Sequence, residues 1–264
     1  MLSKNQANNF IISYSLYKAL FTIILYFYSA VIYSQTCGFN CIGITGIYGG
    51  YSIQKYKSEA LRNYVTIFKY DTVKTDNSER ISFGTASGFK FGVNIFRARF
   101  NKIYFGAKTH YQFLKEEKKY KYELSGFSYD DKYEIWLNYF AFALDFGIPL
   151  FSFLEFKAFE SGLTLNTAEL HNSIYENGKI QKIEKYSNSA RSLNYYLSSG
   201  LILKLYKDVL QLEGTVSYNS IKIGLMEDEE GNNLADKKNG EIFEKTIDKG
   251  GLSLNAQINL SVTF

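Results

Sequence analysis

Residues 252–264, LSLNAQINLSVTF, decide the fold of this chain. Apolar side chains occupy every second position of the stretch, and Ser, Asn, Gln or Thr stands at each position between them. In a β-strand, successive side chains point to opposite faces of the sheet. The stretch therefore predicts a strand with one apolar face and one polar, uncharged face.

The same two-residue period recurs along the rest of the chain, and we predict seven further strands. They are residues 42–53, 87–100, 103–114, 133–146, 151–165, 195–205 and 209–224. In two of them the alternation changes phase, after Ile95 and around Phe159. Either a β-bulge shifts the register at these points, or the strand ends lie outside the two-faced region.

The predicted connections alternate between short and long. The short ones are Asn101-Lys102, residues 147–150 and residues 206–208, and the long polar ones are residues 54–86, 115–132, 167–193 and 225–250. Short turns at one end and long loops at the other are typical of a transmembrane β-barrel. We therefore expect an all-β fold, a single antiparallel up-and-down transmembrane β-barrel of about eight strands. Ten strands remain an alternative, because residues 62–72 could pair within the first long loop.

Alternation alone does not decide which face of the sheet points outward. A soluble barrel buries its apolar face, and a membrane barrel exposes it to lipid. Charges of both signs on the polar face favour the membrane barrel, as do aromatic residues near the strand ends of the apolar face. These aromatic residues are Tyr111, Phe113, Tyr195, Tyr218 and Phe264. A secreted lipocalin-like barrel that binds a ligand inside is the alternative.

The polar face should close the lumen. Side chains just fill the interior of an eight-stranded barrel, and buried charges need partners of opposite sign. We expect a hydrogen-bonded, salt-bridged network there, with a narrow gated pore as the alternative. Its predicted members are Lys90, Lys108, Glu134, Glu155, Lys157 and Glu213.

The first 34 residues are predicted to be a signal peptide, which leaves residues 35–264 as the barrel domain. Residues 19–33 carry no charge, and Lys4 and Lys18 precede them without any acidic residue. This is the pattern of a secretory signal, and an uncleaved membrane anchor is the alternative. Cys37 and Cys41 follow. They could form a disulfide in an oxidising compartment, contribute two metal ligands, or remain free thiols.

Together, the predicted signal peptide, the eight alternating strands and the last strand resemble the small outer-membrane β-barrel proteins of Gram-negative bacteria. The transmembrane domain of outer-membrane protein A is an example, and the Tyr-, Phe-, Lys- and Asn-rich composition resembles barrels from Bacteroidota. The resemblance implies an outer-membrane location, with membrane lipids around the barrel. It also implies that Phe264, Leu260 and Ile258, together with Leu254, form the signal read by the barrel-assembly machinery.

The charge of the chain argues against a nucleic-acid partner. Its 30 basic and 26 acidic residues give +4, and removal of Lys4 and Lys18 leaves 28 against 26, or +2. A nucleic-acid-binding protein would carry a concentrated basic face. We predict no such partner.

Few residues suggest chemistry. His110 is expected on the lumen face and His171 in a long loop, and no Ser–His–acid spacing is present. The acidic run 227–233 lacks the alternating ligand positions of a calcium loop. We therefore predict no catalytic, metal or cofactor site and no enzymatic activity. The expected role is structural or interactive, through four long surface loops to an unidentified surface ligand or protein. A small gated pore or a lipid-modifying outer-membrane enzyme is the alternative.

Overall fold

A computed structural model describes residues 45–66, 82–100, 103–124, 127–188, 190–206, 208–236 and 239–261. The signal peptide predicted for residues 1–34 lies outside these ranges, as do Cys37, Cys41 and Phe264.

The described residues form ten strands and one helix. In chain order they are β1 (Gly46–Lys57), α1 (Glu59–Thr66), β2 (Thr85–Phe100), β3 (Ile103–Leu124), β4 (Phe127–Pro149), β5 (Leu154–Glu176), β6 (Lys179–Asn188), β7 (Ser192–Tyr206), β8 (Leu210–Asn219), β9 (Met226–Glu227) and β10 (Lys249–Ser261). No helix within the described ranges is long and apolar enough to cross a membrane.

Eight of the strands close into a ring. Each pairs antiparallel with its neighbours in the order β1, β2, β3, β4, β5, β7, β8 and β10, and β10 returns to β1. The predicted eight-stranded, up-and-down barrel is therefore confirmed. The sheet has ten strands in all, because β6 and β9 join it outside the ring. Of residues 62–72, which could have added strands, residues 62–66 are helical and the rest lie outside the described ranges.

The apolar face of the barrel points outward. In β10, Leu254 is 58% exposed and Ile258 is 51% exposed, whereas the residues directly before them, Ser253 and Gln257, are 1% and 3% exposed. Most of the other barrel strands repeat this arrangement, with Phe, Leu and Ile outside and polar groups inside. β4 is apolar on both faces around Phe140, with Tyr139 and Ala141 inside. A lipocalin-like barrel would show the opposite pattern, so that alternative is wrong.

The outward apolar side chains form a belt. On β3 it runs from Ile103 to Phe113, and on β4 from Phe140 to Ile148. Ten steps of about 3.4 Å on a strand tilted by about 45° rise about 24 Å. This is close to the height of about 25 Å expected for the lipid-facing band of a membrane barrel.

Both predicted changes of phase are β-bulges. The register between β2 and β3 shifts between Asn94 and Phe96, and that between β5 and β7 shifts between Lys157 and Glu160. Each bulge exchanges the inward and outward residues of the strand beyond it.

Two of the predicted long loops are strands instead. β3 and β4 stay paired from Lys115 opposite Trp136 to Leu124 opposite Phe127, and β5 continues to Glu176. Asn177 and Gly178 then turn the chain into β6 with φ angles of 48° and 78°. His171 therefore lies in β5 and not in a loop. Residues 115–124, 127–136 and 167–176 together with β6 are called the upper sheet below.

Candidate functional site: the filled lumen and the upper sheet

Five charged side chains meet in the middle of the lumen. Lys108 Nζ lies 2.7 Å from Glu160 Oε2 and 3.4 Å from Asp145 Oδ2. Lys157 Nζ lies 2.6 Å from the same Glu160 oxygen and also pairs with Glu213. Each of the five side chains is at most one-tenth exposed. This group is called the lumen cluster below.

Aromatic hydroxyls and a histidine surround the lumen cluster. Tyr196 donates a hydrogen bond of 2.6 Å to Glu160 Oε1, and the hydroxyl of Tyr48 lies 3.2 Å from His110 Nδ1. Lys90 Nζ stands 5.9 Å from the centre of the Tyr48 ring, within range of a cation–π contact. His110 is therefore buried among structural groups.

A second ion-pair group lies nearer the short turns. Glu155 is fully buried and accepts Arg97 Nη2 at 2.5 Å and Lys204 Nζ at 2.8 Å. Arg97 also donates to Gln211 Oε1 at 3.0 Å, and Lys204 reaches Asp208 at 3.0 Å. Two cations and two carboxylates thus balance at this level.

Little space remains between these groups. The cavity between the two ion-pair groups has a volume of about 10 Å³, which is about the least that holds one water molecule. Its lining includes Arg97, Lys108, Asp145 and Glu213. The side chains close the lumen at this level.

The end of the barrel that carries the long connections holds an apolar cap. Leu61, Tyr64 and Val65 of α1 belong to a buried apolar cluster, called the cap below. Among its other members are Tyr133, Ile135, Leu137, Ile221, Ile223, Met226, Leu234 and Ile247. The cap closes the lumen a second time, with apolar contacts instead of ion pairs.

Hydrogen bonds fix α1 in this place. Ser58 is the N-cap residue, because its Oγ accepts the N–H of Leu61 at 3.0 Å. The N–H of Glu59 donates to Asp248 at 2.9 Å, and the hydroxyl of Tyr64 donates to Glu184 of β6 at 2.8 Å. The helix is therefore tied to the loop before β10 and to the upper sheet.

The outer face of the upper sheet carries another charged group, called the outer ladder below. Glu117 lies 3.0 Å from Lys115, 3.2 Å from Lys119 and 3.4 Å from Lys132. Glu134 lies 3.0 Å from Lys132 and also pairs with Lys115. Hydrogen bonds, first from Lys115 and then from Lys119 and Lys132, outweigh partial burial and lower the pKa of Glu117 to about 2.

Glu134 was expected inside the lumen, and this expectation is wrong. The inward residues of β4 in this region are Tyr133, Ile135 and Leu137, which pack in the cap. Tyr133 also contacts Tyr64 of α1 edge to face, with 6.3 Å between the ring centres. A strand whose inner face is apolar leaves its charges on the outer face, so Glu134 lies outside the barrel wall with Lys115 and Lys132.

The other predicted residues lie inside the barrel. Lys108, Lys157 and Glu213 meet in the lumen cluster, Lys90 lies beside it, and Glu155 belongs to the second group. Ile258 and Leu260 point outward from β10. The predicted network did not include four charged residues of the two lumen groups, namely Arg97, Asp145, Glu160 and Lys204.

The acidic run 227–233 forms a turn. The carboxylate of Asp228 accepts the N–H of Glu230 at 3.0 Å and that of Asn232 at 2.8 Å. The side-chain amide of Asn232 also donates to this carboxylate at 3.0 Å, and this bond first, followed by the backbone bonds, lowers the pKa of Asp228. Among the described residues, no three His, Cys, Asp or Glu side chains form a group that could hold a metal ion.

A closed ring of strands satisfies its backbone hydrogen bonds internally, and an apolar belt faces outward around a polar, filled interior. This is the architecture of an integral outer-membrane β-barrel.

Several solved structures are similar to the chain. Neisserial surface protein A shares 13% identity, with a TM-score of 0.40 over 82% of this chain and 96% of that one. Ail, the attachment invasion locus protein of Yersinia pestis, shares 12%, with a TM-score of 0.36 over 83% and 99%. The outer membrane protease OmpT from Escherichia coli shares 9%, with a TM-score of 0.37 over 84% and 95%. No protein-family model and no curated protein sequence matches.

Proposed function

We propose that this chain is a non-conducting outer-membrane barrel that displays the upper sheet to partners outside the cell. The observation that carries the proposal is the length of β3, β4 and β5 beyond the apolar belt. Residues 115–124 of β3 alone extend about 33 Å along the strand. A barrel that served only to span the membrane would not need strands of this length.

The filled lumen supports a closed barrel over a gated pore. Ions would have to pass two groups of paired charges and the apolar cap. Opening the lumen cluster would leave buried charges without partners, which is costly.

A non-enzymatic role is part of the proposal. The hydroxyl near His110 belongs to Tyr48, and the carboxylate near His171 is that of Glu169, at 3.5 Å. Neither arrangement provides a serine or cysteine nucleophile beside its histidine.

The proposal also includes three predictions made from the sequence, which concern export, contact with lipid and barrel assembly. Residues 1–34 direct export, outer-membrane lipids contact the belt, and the barrel-assembly machinery reads Ile258, Leu260 and Phe264. The outward position of Ile258 and Leu260 supports the last of these.

Two measurements test the proposal on the full-length chain. In planar bilayers, the purified protein should give no discrete conductance steps. In cells, Lys121→Cys in the upper sheet should react with a membrane-impermeant maleimide, and Asp208→Cys near a short turn should not. Both variants carry Cys37→Ser and Cys41→Ser, and a heat-dependent shift on SDS gels checks their folding. Conductance steps, or labelling at Asp208→Cys alone, would contradict the proposal.

A further inference from the structure

We propose that the turn between β4 and β5, residues 150–153, inserts into the lipid bilayer and contacts phospholipid acyl chains there. With the upper sheet outside the cell, the turn enters the inner leaflet, and the inference rests on the proposed function for the choice of leaflet alone. Short turns of a membrane barrel face the periplasm. Contact with acyl chains is therefore a separate property of this connection.

The turn is exposed and apolar. Leu150, Phe151 and Phe153 are each more than half exposed, and Ser152 is the remaining residue of the turn. Turns that face water are usually built from Gly, Pro, Asn, Asp and Ser. The short connection after β7 follows this rule, since it contains the charged residue Asp208. Three large apolar side chains on a connection of this length indicate contact with an apolar partner.

The apolar surface of the turn continues the belt. Ile148, the last belt residue of β4, is exposed two positions before Leu150. On the other side, the N–H of Lys204 donates to the carbonyl of Phe153 at 2.8 Å and holds the turn beside the end of β7. The exposed side chain of Leu205 follows there. The turn therefore extends a surface that already faces lipid.

On β4 the belt is too short without the turn. The eight steps from Phe140 to Ile148 rise about 19 Å on a strand tilted by about 45°, whereas a lipid-facing band is about 25 Å tall. The missing height of about 6 Å corresponds to two or three further residues along the strand. Insertion of residues 150–153 completes the band at this part of the barrel.

The backbone of the turn suits an apolar environment, in which polar groups without partners are costly. The N–H groups of Leu150 and Phe151 both donate to the carbonyl of Leu154, at 2.9 and 3.0 Å. The N–H of Leu154 donates to the carbonyl of Phe151 at 3.3 Å. The rings of Phe151 and Phe153 stack with 5.7 Å between their centres. Three N–H groups are thus satisfied within the chain, as a position in lipid requires.

The size of the patch favours lipid over a protein partner. A stable protein interface buries about 800 Å² on each side. The side chains of Leu150, Phe151, Phe153 and Leu205 are about half exposed, and at about 200 Å² for a whole side chain they offer about 400 Å². A bilayer already surrounds the belt, so lipid reaches the turn without any further association.

The first test places a single tryptophan in the turn of the full-length protein. Phe151→Trp is combined with Trp136→Phe and reconstituted in phosphatidylcholine vesicles with or without brominated acyl chains. Bromine on the chains quenches a Trp in lipid, and iodide on both sides of the membrane quenches a Trp in water. We expect brominated lipid to quench Phe151→Trp, as it should quench Phe142→Trp in the belt. Iodide should instead quench Lys121→Trp in the upper sheet, and these two controls also carry Trp136→Phe.

The second test removes the apolar side chains. Phe151→Asn with Phe153→Asn should shift urea unfolding in vesicles about tenfold or more toward the unfolded state, because two large side chains no longer gain from burial in lipid. Leu225→Asn with Ile242→Asn is the matched control, since both side chains are exposed in the connection that contains β9. This connection lies at the end with the cap, outside the belt, so the control should leave unfolding unchanged. Both double variants should keep the heat-dependent gel shift.

Three results would overturn the inference. They are quenching of Phe151→Trp by iodide alone, its protection from both quenchers, and an equal effect of the turn and control variants on unfolding. Protection from both quenchers would assign the turn to an interface between copies of the chain.

Failure of the surface role would be seen separately, as absence of labelling at Lys121→Cys in cells, because quenching in vesicles does not depend on orientation. If Lys121→Cys is labelled and iodide alone quenches Phe151→Trp, insertion is refuted and the surface role stands.

Discussion

The lumen cluster and the outer ladder are built from the same chemical groups in different surroundings. Each joins lysines to carboxylates across neighbouring strands at similar distances. Lys157 in the lumen cluster is fully buried, whereas Lys119 in the outer ladder is 63% exposed. Loss of one partner inside leaves a buried charge without compensation, whereas water compensates outside.

The two groups also differ in how they tolerate like charges. In the outer ladder, Glu117 stands directly opposite Glu134, and Lys119 directly opposite Lys132. Like charges in such pairs repel, and the diagonal contacts to Lys115 and Lys132 offset this repulsion. In the lumen cluster, Lys157 and Lys108 both contact Glu160 and Glu213. Solvent allows like charges to stand opposite each other outside, whereas inside each of the three carboxylates contacts both buried lysines.

The largest effect should follow Lys157→Met. The substitution leaves Glu160 and Glu213 with one cation less in a buried site, so we expect a loss of about 3–5 kcal/mol in the free energy of unfolding. Urea unfolding in lipid vesicles, followed by the fluorescence of Trp136, measures it. The double variant Lys157→Met with Glu213→Gln should regain part of the loss. A loss of less than about 1 kcal/mol in the single variant would contradict the comparison.

A smaller loss is expected for Glu155→Gln. Glu155 is buried, but Arg97 is 20% exposed and Lys204 also contacts Asp208, so both cations keep other partners. We expect a loss of about 2 kcal/mol, the range for hydrogen bonds to charged groups. The same unfolding measurement checks this. A loss of unfolding free energy as large as that of Lys157→Met would show that the second ion-pair group is as isolated from water as the lumen cluster.

In the outer ladder, Lys115→Met should cost about 0.5 kcal/mol or less. Lys115 contacts both glutamates of the ladder, and Lys132 does the same, so each glutamate keeps a cation when Lys115 is lost. In about 1 M salt, the difference in unfolding free energy between Lys115→Met and the wild type should shrink further, because the charges are exposed to screening ions. The Lys157→Met difference should persist in salt, and equal salt sensitivity of the two would refute the distinction.

The smallest effect is a dependence on pH. The pKa of Glu117 is lowered from its ordinary value of 4.5 to about 2, so its stabilising contribution is complete above the ordinary pKa. The contribution should fall as the pH drops from about 4.5 toward about 2. Glu117→Gln should lack this part of the pH dependence. The measurement is the difference in unfolding free energy between the two proteins against pH, and a constant difference would disprove it.

Sequence alternation predicted the strands in the membrane-facing half of the barrel, because the outward side chains there all contact lipid. Each outward position in the belt has to be apolar, so β10 shows the pattern without interruption. In the upper sheet, outward side chains contact water and inward side chains pack in the cap. The alternation of outward apolar and inward polar residues therefore disappears there. The dipeptide Asn177-Gly178 was the available signal, because Asn-Gly favours a two-residue hairpin turn.

The four lumen charges that the predicted network did not include lie close to register shifts. Lys204 lies at the shift between Lys204 and Tyr206 in the pairing of β7 with β8. Arg97 follows the bulge at Asn94 and Phe96, Glu160 lies at the bulge in β5, and Asp145 precedes the shift between Phe146 and Gly147. Near such a shift, a count of alternate positions assigns a residue to the wrong face. Glu134 was misplaced for a different reason: β4 is apolar on both faces around Phe140, so alternation along this strand does not distinguish inside from outside.

The bulge in β5 also determines which changes this part of the chain can accept. Lys157 and Glu160 are three residues apart, a spacing that puts two side chains on opposite faces of a regular strand. Both reach the lumen only because the strand holds one extra residue between them. Substitutions at Ala158 or Phe159 can therefore preserve the ion pair. Deletion of either residue would remove the bulge and leave Lys157 and Glu160 two residues apart, a spacing that still puts both side chains on one face of a regular strand. The ion pair therefore constrains the length of this segment less than it constrains the two charged ends.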